Sequence, residues 1–196
     1  MRKLAVLGVA LVAFMSWATT VSAAIVTVYT DKTEWENALG GQFMTEYFED
    51  DILNPGVSFV SSESGHINPA EECYQDVLAS LSQNEPATIW SFAPEITAYG
   101  GNWTLGGPGG SGNSLLVYIA DTSFYAGTIP NSYNDEFWGF ISDTPFTSVE
   151  VVGGEGTNQQ HYSLDDMVYS QVPEPATMSL LALGVLAMIR RRRKSQ

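Results

Sequence analysis

The sequence predicts a mostly β domain, an antiparallel β-sandwich with one or two short helices, set between two targeting segments. Seven segments between residues 88 and 169 are short, rich in β-branched and aromatic residues, and separated by turn residues. That spacing is what consecutive antiparallel strands require, and it leaves no room for the alternating strands and helices of a parallel sheet. The two ends, residues 1–23 and 171–196, are apolar runs with basic flanks and stand apart from the body at residues 24–170.

Taken in order, residues 25–29 read as a first strand. Asp31 and Glu34 then form a cap-like pair, which places a helix of two or three turns with Trp35, Ala38 and Leu39 on one face and Gly40-Gly41 at its end. Residues 43–48 and 57–60 are strand-like, with a turn at Asn54-Pro55-Gly56 between them. In residues 70–81, Asn68 at a cap, Pro69 at the first helical position and a stripe of Tyr74, Val77, Leu78 and Leu81 predict a second helix. Residues 88–92, 96–99, 103–105, 114–119, 137–141, 148–152 and 162–169 are the seven later strands, and residues 121–134 between them read as a loop.

The charge is unevenly distributed. Seven of the eight basic residues lie in the end segments, so residues 24–172 hold Lys32 alone against 21 of the 22 acids, a formal charge near −20. Neutralising phosphates needs lysine and arginine, so nucleic acid is excluded as a partner and an anionic lipid surface is repelled. Cys73 is the one cysteine, which rules out an intramolecular disulfide and predicts a buried, inert thiol. Stability must then come from an apolar core, for which about 147 residues suffice as one domain.

Arg2 and Lys3, an apolar run through Trp17 and the small-residue site Val21-Ser22-Ala23 predict a cleaved signal peptide over residues 1–23. The other end reads Val172-Pro173-Glu174-Pro175, fourteen apolar residues at 176–189, then Arg190, Arg191, Arg192, Arg193 and Lys194. Fourteen residues make a helix of about 21 Å against a hydrocarbon core of about 30 Å, a marginal anchor whose cations hold it to the cytoplasmic surface. This segment resembles the PEP-CTERM sorting signal of Gram-negative bacteria. The resemblance implies export, transient anchoring in the inner membrane, and cleavage near Pro-Glu-Pro by an exosortase, followed by release outward or transfer to the cell surface. It also implies association with exopolysaccharide in an extracellular or biofilm matrix.

Residues 140–146 and the Leu164-Asp165-Asp166 ending of the last strand resemble segments of PEP-CTERM exoproteins with jelly-roll ectodomains and of jelly-roll carbohydrate-binding modules. That likeness implies a structural calcium held by Glu49, next to Phe48, together with Asp165 and Asp166. The alternative is that these acids are solvated or bonded to backbone.

Motifs for catalysis are missing. No His-Glu-x-x-His, Cys-x-x-Cys or phosphate loop is present, and Gly107, Gly109 and Gly112 precede a strand-like stretch rather than the helix a dinucleotide fingerprint needs. His66 and His161 each read as solvated or locally bonded. No catalytic residue is assigned. Phe124, Tyr125 and Tyr133 mark a candidate ligand platform, because exposed rings stack on sugars. The expectation is a non-catalytic, carbohydrate- or calcium-binding exported module. A carbohydrate-active hydrolase on the same fold and a purely structural matrix protein are the alternatives.

Overall fold

The computed structural model describes residues 24–79, 86–106, 113–154 and 159–172. The predicted signal peptide, the Pro-Glu-Pro stretch, the apolar run and the arginine cluster lie outside them. Among the described residues no helix is long and apolar enough to cross a membrane.

The first strand, β1 (Val26–Tyr29), leads into helix α1 (Lys32–Ala38). Asp31 caps the helix by accepting the Glu34 N–H at 3.0 Å, satisfying one of the donors that a helix start leaves free. The chain continues through β2 (Met44–Glu46), β3 (Val57–Ser61), β4 (His66–Asn68) and β5 (Cys73–Ala79). Two strands of 20 residues, β6 (Ala87–Gly106) and β9 (Asn134–Gly153), flank β7 (Leu115–Ile119) and β8 (Phe124–Ile129), and β10 (Gln159–Gln171) closes the domain.

The two long strands make the sandwich. Register along β6 breaks between Ser91 and Ile96, and just beyond, between Ile96 and Ala98, its partner on β9 jumps from Phe146 to Ile141. The halves beyond these bends lie in different layers. One layer runs β3, the first half of β6, the second half of β9, β7 and β8. The other runs β4, β5, β10, the second half of β6, the first half of β9 and β1, with β2 on the end of β10. Five of the predicted short strands, 88–92, 96–99 and 103–105 in β6 and 137–141 and 148–152 in β9, are therefore parts of two long, bent ones. At the β6 bend, Ala93 N–H donates to Gly56 O at 2.7 Å, and Gly56, at φ +85°, approaches so closely that a Cβ would sit 1.8 Å from Ala93 O. Only glycine fits there.

Between the layers lies an aromatic-rich core. Tyr74 of β5 meets Trp90 of β6 edge-on with ring centroids 4.9 Å apart, and Phe92 meets Tyr169 at 5.3 Å. Trp90, Trp103, Tyr99 and Phe140 are fully buried, and each such side chain contributes about 1.5–3 kcal/mol by leaving water. A smaller cluster lies outside the second layer, where α1 drops Trp35 onto Ala98, Phe137 and Val168. Trp35 Nε1 donates to Phe140 O at 3.3 Å. As predicted, Trp35 and Leu39 face the protein, whereas Ala38 is exposed.

Two expectations are corrected. Residues 73–79 form strand β5 and not part of a helix, because β10 offers a whole edge to pair with them, Cys73 opposite Asp165 through Ala79 opposite Gln159. The stretch 121–134, read as a loop, contains β8, which pairs along β7. Cys73 is buried and free, and burial pushes its thiol pKa up, as expected of an inert thiol.

Candidate functional site: two open sheet faces

In each layer, alternate side chains point to the core and the others form a surface. On the first layer, Trp90, Val117, Ile119, Val149 and Val151 point inward. Their neighbours line up across the strands. Val60 is opposite Ile89, Ile89 opposite Glu150, Glu150 opposite Tyr118, and Tyr118 opposite Tyr125. At about 4.8 Å per strand this row is about 19 Å long. Tyr118 and Tyr125 stand with centroids 5.5 Å apart, inclined at 59°, and the Tyr125 hydroxyl is tied to that of Thr128. Tyr125 is 49% exposed and Val60 70%. Of the predicted platform, Tyr125 is therefore in solvent, while Phe124 and Tyr133 are half-buried and pack against the core. Its ring neighbour is Tyr118, which the sequence reading did not single out.

Beside that row, past the end of β7, Asp121 accepts the Thr147 N–H at 2.6 Å and the hydroxyls of Thr147 and Ser148. Partial burial alone raises its pKa, but these hydrogen bonds together outweigh burial and hold the carboxyl below its usual range.

The second layer presents a polar face next to α1. His66 is opposite Gln75, Gln75 opposite Ser163, and Ser163 opposite Thr104; one step along, Val77 is opposite His161 and His161 opposite Gly106. These residues and Ser64 surround a cavity of about 420 Å³, with Asp76 and Tyr162 also bordering it. Two histidines far apart in sequence thus meet at one site. His66 Nδ1 lies 2.9 Å from Ser64 O. His161 Nε2 is buried and has no hydrogen-bond partner among the described residues.

Behind the cavity is a closed network. Asp76, 3% exposed, accepts the Tyr74 hydroxyl at 2.9 Å and the Thr88 hydroxyl at 2.5 Å on Oδ2, and the Val77 N–H at 2.7 Å on Oδ1. The Tyr162 hydroxyl donates to Thr88 Oγ1 at 2.7 Å. Burial raises the pKa of both phenols, so they stay neutral and available as donors. Gly65 covers the network so closely that a Cβ would lie 1.8 Å from the Tyr74 hydroxyl. None of these residues was singled out from sequence as polar machinery; reading 73–79 as a strand, with Tyr74, Asp76 and Leu78 alternating inward, is the signal that would have found Asp76.

The implied calcium ligands are not assembled. Glu49 is exposed, and Asp166 pairs with Lys32 at 3.1 Å. Asp165 accepts the Asp166 N–H at 2.6 Å. The buried carboxylate of that region is Glu46, whose oxygens accept the N–H groups of Phe48 and Asn54 at 3.1 and 2.6 Å. Among the described residues no three acidic, histidine or cysteine side chains group in a way that could hold a metal ion, so these residues do not fit the ion. Burial, with Asp166, Asp135 and Glu72 nearby, raises the Asp165 pKa. A raised carboxyl favours the folded state when protonated, so its contribution is lost as pH rises through the folded value. Asp165→Asn keeps an acceptor for the Asp166 N–H. It is expected to raise the melting midpoint at pH 7, with the advantage shrinking as pH falls toward about 4, as read by circular-dichroism melts across that range.

The described chain is thus a two-layer antiparallel sandwich whose last strand ends directly before a Pro-Glu-Pro stretch. Residues 171–194 match the family model of the PEP-CTERM protein-sorting motif, and the chain carries that motif. Such a signal implies export, a membrane-anchored C-terminus and exosortase processing. Comparison with curated proteins finds no match. Among solved structures, the chain is similar to CBM29_1, a family 29 carbohydrate binding module from Piromyces equi (TM-score 0.45, 13% identity, 77% of this chain and 93% of that one). It is also similar to a second structure of a carbohydrate binding module of family 29 (TM-score 0.44, 12% identity, 65% and 86%). These likenesses concern the fold alone.

Proposed function

We propose that this protein is an exported, exosortase-processed and non-catalytic module that associates with neutral polysaccharide outside the cell. The observation that carries this reading is the row from Val60 to Tyr125, in which Val60, Ile89 and Tyr125 are exposed and Glu150 and Tyr118 half-buried, ending in the paired rings of Tyr118 and Tyr125. A row of about 19 Å spans several sugar units, rings offer the apolar surface on which pyranoses stack, and Glu150 and Thr128 offer hydroxyl partners. A charge near −20 with Lys32 as the sole cation of the exported part repels uronates and phosphates, which leaves uncharged chains as the matching class. Asp76, the carboxylate bordering the cavity, has both oxygens engaged by donors, which suits structure better than acid–base work.

Affinity electrophoresis of the detergent-solubilised full chain through gels containing neutral glucan, galactomannan or a polyuronate tests this. Retardation by a neutral polymer only is expected, with Tyr118→Ala or Tyr125→Ala each weakening it by about tenfold, the effect of losing roughly 1.4 kcal/mol from a stacking contact. Release of reducing ends from the same polymers would instead identify a hydrolase. No retardation and no release would leave a structural matrix protein.

A further inference from the structure

We infer that the cavity bordered by β4, β5, β10 and the end of β6 is a second binding site, on the opposite layer from the tyrosine row, which takes a single neutral sugar ring through His66 and His161. Only the ligand's source rests on the polysaccharide reading; the site itself stands on its own geometry. At about 420 Å³ the cavity lies within the size class of small-molecule sites.

Its lining selects the ligand. His66, Gln75, Thr104, His161 and Ser163 are groups that donate and accept hydrogen bonds without a fixed charge when the imidazoles are neutral, and Val77 adds an apolar patch. Among the described residues no lysine or arginine borders it, so a phosphate or carboxylate has no counter-charge there. Asp76, the one acid among the described lining residues, is already held by Tyr74, Thr88 and the Val77 N–H, so it is not free to bind a cation. What remains is a neutral molecule rich in hydroxyls.

The histidines strengthen this. The Ser64 carbonyl can only accept, so the contact at 2.9 Å fixes the His66 Nδ1 as the N–H donor and leaves Nε2 as an acceptor. His161 borders the cavity, and its Nε2 is shielded from solvent without a partner among the described residues, a state that costs free energy and that a turn of the ring toward a bound hydroxyl relieves. A sugar hydroxyl both donates and accepts, so it satisfies this nitrogen in either tautomer. The network of Tyr74, Asp76, Thr88 and Tyr162 makes the wall rigid, which lowers the entropy cost of binding.

The test uses the two histidines as reporters, since the chain has no others. The ¹⁵N-labelled full chain, solubilised in detergent and carrying no histidine tag, is titrated with the methyl glycosides of glucose, galactose and mannose, and the imidazole resonances are followed. Both rings are expected to shift saturably with at least one glycoside. Gly106→Leu is expected to abolish the shifts; Gly106 borders the cavity, and a Cβ there meets nothing within 4 Å, so the side chain enters free space. Thr104→Val, which keeps the shape and removes one hydroxyl, is expected to weaken binding about fivefold. Tyr125→Ala is expected to leave the imidazole shifts unchanged, so failure of the tyrosine row on polysaccharide gels and failure of the cavity are separate results. The inference is overturned if neither ring moves with any glycoside up to about 100 mM, far above the millimolar range of weak sites. It is equally overturned if the shifts survive both Gly106→Leu and Thr104→Val.

Discussion

Asp76→Ala is expected to destabilise the fold by about 3–5 kcal/mol, the range for removing one partner of a buried charged network. The carboxylate gathers three donors into a space that water does not reach, the hydroxyls of Tyr74 and Thr88 and the Val77 N–H. Alanine leaves all three without their acceptor and opens a cavity beside the Tyr74–Trp90 contact. Asp76→Asn should fall between, because its carbonyl still accepts the Val77 N–H while the hydroxyls can turn to accept from its amide. Urea unfolding at pH 7 checks both, with midpoints in the order wild type, Asp76→Asn, Asp76→Ala. Equal midpoints for alanine and wild type would mean that the network contributes nothing to stability. The same phenols set an alkaline limit. Their raised folded values mean that stability is fully present below the ordinary tyrosine pKa of about 10 and is lost as pH climbs above it.

Asp76 also shows where the sequence stops being readable. The stretch 70–81 places apolar residues at Tyr74, Val77, Leu78 and Leu81, a helical stripe, but Tyr74 and Leu78 are equally an inward-facing pair on a strand. Local pattern leaves the choice open, and the decision comes from β10, some 85 residues later, whose free edge needs a partner. The same non-local rule hides β8, a short run set between the turn-forming residues 121–123 and 130–132, which pairs because β7 has an edge to offer. It hides the histidine cavity as well: His66 and His161 look unremarkable singly, and only strand register sets them around one space. By contrast, the segments from residue 88 to 169 state their β character locally, and α1 is announced by Asp31 and Glu34. Tyr125 was found because exposed aromatics in a turn-rich stretch are conspicuous. Tyr118 was missed because a ring in an alternating strand gives no sign of which face it occupies until the register is known.

Replacing Pro173, Glu174 and Pro175 by alanine is expected to cut release of the protein into the medium by roughly hundredfold or more, since a site built to bond a polar group rejects the residue lacking it. Fractionating cells into membrane pellet and medium reads this, and the triple variant should accumulate in the pellet. The fold places a further condition on that step. Strand β10 ends at Gln171, the Val172 N–H still donates to Glu95 O at 3.1 Å, and the Ser170 hydroxyl donates to Gln42 O at 2.6 Å. Pro173 is the next residue, so the Pro-Glu-Pro stretch follows the last described residue of the domain directly, and the matched motif begins at the end of β10. A processing enzyme that binds several residues of extended chain must approach the edge of the domain, or wait until the end of β10 opens. Opening the Val172 bond costs about 0.5–1.5 kcal/mol, enough to slow cleavage several-fold when opening precedes binding. A flexible Gly/Ser linker of about eight residues between Val172 and Pro173 removes that condition. Pulse-chase release of the linker variant should then be about three- to tenfold faster than that of the natural chain. If the two rates coincide, the enzyme reaches the motif with β10 fully paired, and the end of the domain formed by Gln42, Glu95 and Val172 lies within the enzyme's footprint.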